Sequence, residues 1–126
     1  MYIVHEDNVV GDKIGPPHQR EIKHLSAKWT LGSQNLWLGS SNVDPGYTTN
    51  PHFHETQEEI FYCVSGKGRI RVDDEEHEFY PGMVCYVPAK CTHQLINDGD
   101  EVLKVVAAVS PAFEREQFIK DHDMDH

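Results

Sequence analysis

A chain of 126 residues with 38% apolar and 25% charged side chains can bury one core without disulfides and is too apolar to be disordered. Its 11 Lys and Arg against 21 Asp and Glu leave a formal charge of −10, which repels phosphate backbones and anionic bilayers, so neither nucleic acid nor a membrane is an expected partner. Three cysteines (Cys63, Cys85, Cys91) form no CxxC pair, MYIVHEDNVVGDK is no secretory signal, and no run approaches membrane-spanning length, so a reduced, cytoplasmic protein is expected.

Residues 1–19 carry Gly11, Gly15, Pro16 and Pro17 and read as a short strand or arm followed by a loop. Arg20 to Leu25 alternates loosely as a strand, and Leu36 to Val43 alternates better, with Gly39 marking a bulge or a close approach. Asp44-Pro45-Gly46 is a turn, Glu59 to Val64 a β-rich strand, and Ser65 to Gly68 another turn. Arg69 to Val72 alternates charged and apolar residues, Asp73 to Glu76 makes an acidic hairpin tip, and Pro81-Gly82 turns again. Met83 to Val87, Thr92 to Ile96 and Val102 to Val109 complete the strands. Short strands and turns at close spacing argue for an all-β sandwich or barrel. Pro111 to Lys120 places Phe113, Phe118 and Ile119 at helical offsets, with Ser110 suited to the N-cap and Pro111 to the first helical position. DHDMDH then reads as a frayed tail. One domain is expected over 1–126: a core of about 20–109, an arm over 1–19, and a helix and tail over 110–126.

The stretch HFHETQEEIFYCVSG, from His52 to Gly66, concentrates ligand chemistry. On a strand, alternation sends His52 and His54 to one face, and a tight turn must reset the register before Glu59. His93 follows later, at the start of another strand after Pro88-Ala89-Lys90. Three imidazoles and a carboxylate suit a divalent first-row metal and leave positions open for water or substrate.

From Gly46 the spacing is Gly, five residues, His52, one, His54, four, Glu59, six, Gly66. From Gly82 it is Gly, five residues, Pro88, then His93, three residues and Asn97. These two segments resemble the two sequence motifs of the cupins. The resemblance implies a small jelly-roll barrel of the single-domain type, with His52, His54, Glu59 and His93 as ligands of one divalent transition metal per chain (zinc, manganese, iron, nickel or copper). The family's spacing favours Glu59 over Glu58. Lys90 departs from the pattern, because the family usually has glycine there, where a tight turn is needed.

Other candidates are weaker. Arg20 and His24, on the strand entering the core, are candidate contacts for an anionic substrate. Tyr62 and Tyr86, with Trp37, are candidate pocket aromatics, although aromatic residues in strands more often serve the core or an interface. The cysteines read as small buried hydrophobes, Cys63 sharing the parity of Glu59 and Phe61. His77 reads as part of a solvated hairpin, and His5, His18, His122 and His126 as surface residues.

The resemblance implies a metal-dependent enzyme on a small oxygenated substrate, sugar-like, keto acid or enediol, with Glu59 and His54 as catalytic residues and Glu59 able to act as base. Isomerase or lyase chemistry is expected ahead of a dioxygenase, and a non-catalytic binder is the further alternative. The family's habits also imply a homodimer.

Overall fold

The computed structural model describes residues 1–122 and Met124. The tail expected at Asp123, Asp125 and His126 lies outside the described residues. Among the described residues, nine strands form two antiparallel sheets. The larger sheet runs in the order β1 (Asp12–Ile14), β2 (Arg20–Ser26), β3 (Trp37–Val43), β9 (Leu103–Ser110), β4 (Glu58–Ser65), β7 (Val84–Val87). The smaller one runs β6 (Glu75–Phe79), β5 (Gly68–Val72), β8 (His93–Ile96).

Alternation decides which face of each strand is inside. In β4, Glu59, Phe61 and Cys63 are buried while Ile60, Tyr62 and Val64 face outward. In β9, Leu103, Val105, Ala107 and Val109 are buried on the same rhythm. These meet Ile70, Phe79 and Leu95 of the smaller sheet in one apolar core. At Gly39 the expectation of close approach holds. A side chain there would meet the Trp37 ring at 2.1 Å and the Lys23 carbonyl at 2.9 Å.

Three expectations need correction. β6 was hidden in the acidic run, because only its Phe79 is buried and its other side chains face solvent. The segment of His52 and His54 is not a regular strand. It pairs with β8 through isolated bridges at Thr48–Ile96 and His52–His93, since Pro51 has no N–H to continue a ladder. The helix starts later than expected. Ser110 is still paired with Glu58 in β9 and its hydroxyl donates to the Asn35 carbonyl, so it cannot cap. Helix α1 spans Arg115–Asp121 with Glu114 at its N-cap. Phe118 and Ile119 are buried beneath it, and Phe118 meets Trp37, Phe113 and His24 ring to ring. α1 is therefore fastened to the open end of the two sheets by aromatic packing.

Candidate metal centre

Two segments bring the imidazoles together, the one that carries His52 and His54 and β8, which carries His93. His52 exchanges backbone hydrogen bonds with His93 of β8, at 3.2 and 2.9 Å. His54 is held from below by the Pro88–Cys91 turn, whose Lys90 N–H donates to the His54 carbonyl at 2.8 Å. Lys90 makes this turn at φ +70°, so the turn that usually takes glycine forms with a lysine. A bend at Glu55-Thr56 then lets the chain enter β4 with Glu59 facing inward. Glu58 points the other way and accepts from the Tyr86 hydroxyl at 3.1 Å, which leaves Glu59 as the inward carboxylate.

One nitrogen from each of His52, His54 and His93 falls within 4.8 Å of the others. The Glu59 Oε1 approaches His54 Nε2 at 3.4 Å and His93 Nε2 at 3.3 Å. The outer ring nitrogens show which inner ones hold lone pairs. His52 Nδ1 donates to the Asn50 carbonyl (2.8 Å), His93 Nδ1 to the Cys91 carbonyl (3.1 Å), and His54 Nδ1 to the Asp121 carboxylate (2.8 Å). Those acceptors cannot donate, so each neutral ring turns an Nε2 lone pair inward. Accordingly His54 Nε2, His93 Nε2 and Glu59 Oε1 are buried without a hydrogen-bond partner. Lone pairs converging in a buried site are costly unless a cation lies between them. That donor set, with its outer nitrogens already anchored, fits a divalent metal.

The electrostatics agree. Burial alone would raise the Glu59 carboxyl, but His54 and His93 outweigh it and hold it down at about 2. Burial would lower His54, but Glu59 and then Asp121 outweigh it and its pKa is raised. His52 is pushed down to about 3 by desolvation and by the neighbouring His93.

α1 contributes two groups that the sequence pattern did not reveal. Asp121 orients His54, accepts from Gln117 at 3.3 Å and, through its carbonyl, from Asn50 at 3.2 Å. A reciprocal amide pair between Gln57 and Gln117, at 2.9 and 2.8 Å, ties α1 to the segment before β4. His122, expected on the surface, is only 8% exposed. Its ring stacks on Phe118 with centroids 3.9 Å apart and lies 4.5 Å from the His52 ring. Burial, then the neighbouring His52, hold His122 well below its ordinary pKa, so it is neutral. A signal was present in the sequence: Phe118 and His122 are four apart, on one helical face.

A cavity of about 40 Å³ opens beside the centre, lined in part by Arg20, Trp37, Thr49, His52, Glu59 and His122. Of the expected substrate contacts, Arg20 reaches it, buried, with its guanidinium donating to the His18 carbonyl and Asn50 Oδ1. Trp37 reaches it as well. His24 does not line it. Its Nε2 lies 2.7 Å from Asp12, its Nδ1 accepts from Trp37, and Arg115 completes the network with Asp12, so both ring nitrogens serve the core. Tyr62 and Tyr86 are corrected too. They are 48% and 55% exposed on the outer face of the larger sheet, opposite in parity to Glu59 and Phe61. A larger groove, about 720 Å³, runs over Lys13, Arg20, Glu21 and Asn42 and includes no imidazole.

A family model described as a cupin domain matches residues 39–109, more than half the chain and all of the segment that builds the centre except its C-terminal helix. The chain is a cupin. An uncharacterised protein of Methanocaldococcus jannaschii is 34% identical over 91% of this cupin and 82% of its own length. A Thermotoga maritima protein named as oxalate-binding is 25% identical over 71% of this chain and 74% of its own. In structure, a protein described as a predicted oxalate decarboxylase from Thermotoga maritima superposes with a TM-score of 0.78 at 21% identity, covering 86% of this chain and 98% of its own. That likeness shows the jelly-roll fold. No helix among the described residues is long and apolar enough to cross a membrane.

Proposed function

We propose that this cupin holds one divalent transition metal through His52, His54, Glu59 and His93 and acts on a small oxygenated acid by isomerase or lyase chemistry. The observation that carries the metal is the trio of buried, unpartnered acceptors, His54 Nε2, His93 Nε2 and Glu59 Oε1, turned toward one another. A bound metal supplies Lewis acidity, which polarises a carbonyl or stabilises an enolate. The chain supplies the rest. Asn50, Cys91 and Asp121 lock the three rings at Nδ1. Trp37, Phe113 and Phe118 exclude water from that end of the core. Arg20 places a positive charge at the cavity wall, which supports an acid as ligand. The small volume of the cavity supports a keto or hydroxy acid over a sugar, and the relative named as oxalate-binding supports a carboxylate.

Glu59 is the proposed base, freed from the metal while His52, His54 and His93 would keep it, and His54 serves catalysis as one of those remaining ligands. Glu59→Gln is expected to keep the fold and lower turnover at least about a hundredfold. Full turnover in that variant would remove the base role. The metal-loaded protein should turn over a small keto or hydroxy acid without consuming oxygen. Oxygen uptake with iron or copper bound would replace isomerase or lyase chemistry with a dioxygenase, and a ligand that binds but is never converted would leave a binder. Pairing with a second copy is part of the same proposal. It is supported by the outward apolar rows Ile60 with Tyr86 and Tyr62 with Val84.

A further inference from the structure

We infer that His122 is a specificity-determining residue of the cavity: its Nε2 accepts a hydrogen bond from a hydroxyl group of the small acid held beside the imidazole cluster. This rests on the metal reading above and goes further, by naming the class of ligand as a hydroxy acid.

His122 Nδ1 lies 2.9 Å from the Phe118 carbonyl, which can only accept, so Nδ1 carries the proton and Nε2 of the neutral ring holds a lone pair. That bond leaves Nε2 as the ring's other polar atom. The ring is not free to turn away. It is stacked on Phe118 at 3.9 Å and 23°, with the His52 ring at 4.5 Å and the His54 ring at 5.5 Å. It forms part of the cavity wall, with Glu59 and His52 in the same lining. His122 is not one of the three residues whose donor atoms converge.

A volume of about 40 Å³, on the scale of about three waters, admits part of a small acid, the rest of which would lie at the imidazole cluster. Within it, a fixed lone pair discriminates. A ligand oxygen that carries a proton satisfies Nε2. A second carboxylate oxygen at the same place meets it lone pair to lone pair and leaves it unsatisfied. Glycolate is therefore favoured relative to oxalate, by comparison with a pocket that lacks the acceptor. His122→Phe keeps the ring, its volume and its stack on Phe118 but removes the nitrogen. His122→Gln loses the stack but offers a side-chain carbonyl as acceptor.

The test is titration of cobalt(II)-loaded wild type, His122→Phe and His122→Gln with glycolate and with oxalate, followed by the visible absorption of the cobalt. The expected result is equal cobalt content in all three and a glycolate-to-oxalate affinity ratio that falls about fivefold to tenfold in His122→Phe and recovers in part in His122→Gln. An unchanged ratio in His122→Phe overturns the inference and leaves His122 as packing for Phe118. Loss of cobalt from His122→Phe also overturns it, because His122 would then be a metal ligand. Failure of the wild type to take up cobalt would remove the metal reading first, and this inference with it, before any variant is compared.

Discussion

At the scale of single residues, conformational cost and charge set what the centre tolerates. Lys90 sits at φ +70°, a region where a side chain costs about 1–2 kcal/mol and glycine costs less. Its N–H still supports His54, so the turn forms because the surrounding bonds require it. Lys90→Gly is expected to raise Tm by about 3 °C, after subtracting the greater freedom of glycine in the unfolded chain. A lowered Tm would show that the Lys90 side chain contributes more than its backbone costs. The buried acid–base groups predict how the metal-free protein responds to pH. His52 falls from 6.5 to about 3 on folding, so its contribution is full above 6.5 and is lost as pH falls toward 3. Glu59 falls from 4.5 to about 2, so its contribution is full above 4.5 and is lost as pH falls toward 2. His54 is raised, and its contribution is full below 6.5 and fades on the alkaline side. Chelator-treated protein should therefore lose Tm progressively below about pH 6, more steeply below about pH 4.5. A Tm that stays level to about pH 4 would contradict the charge assignment.

At the scale of elements, α1 decides both the stability of the open end and the precision of the centre. Phe118 is fully buried and touches Trp37, Phe113, His24 and His122 ring to ring. Phe118→Ala should cost about 3–5 kcal/mol, measured by denaturant unfolding. A loss under about 1 kcal/mol would mean that α1 is not fastened by this side chain. On the metal proposed for this centre, Asp121 would act only through the His54 ring. Asp121→Asn should weaken metal affinity about tenfold to a hundredfold with Tm little changed, read by competition with a chromogenic chelator. Unchanged affinity would make the His54–Asp121 bond merely structural.

The two ligand segments were legible because their spacing is local. His52, His54 and Glu59 lie within eight consecutive residues, and His93 opens a strand bounded by a turn. β4 and β9 were legible because alternation marks one buried face. β6 was not, since an edge strand with solvent on both sides carries no alternation until Phe79. Asp121 was not, and His122 was signalled only by its spacing of four from Phe118, because nothing in DHDMDH states that a helix will return that segment to the far end of the core. Tyr62 and Tyr86 were placed in the pocket by residue type, although the parity of Tyr62 relative to Glu59 already sent it outward, and Tyr86 follows from its pairing with Ile60.

At the scale of the whole molecule, the outer face of the larger sheet leaves Ile60, Tyr62, Val84 and Tyr86 side by side in solvent. A second copy would cover it, so light scattering at micromolar concentration should report twice the chain mass of 14.4 kDa, and Tyr62→Glu should return the monomer. A monomer in the wild type would remove the pairing. The inner face carries the central claim, that convergent lone pairs on His52, His54, Glu59 and His93 hold a metal. The measurement that tests it most directly is elemental analysis of untagged protein beside His54→Ala and His93→Ala. About one transition-metal ion per chain is expected in the wild type and less than about a tenth of that in each variant, with the fold retained. No metal in the wild type, and none taken up on addition, would contradict it.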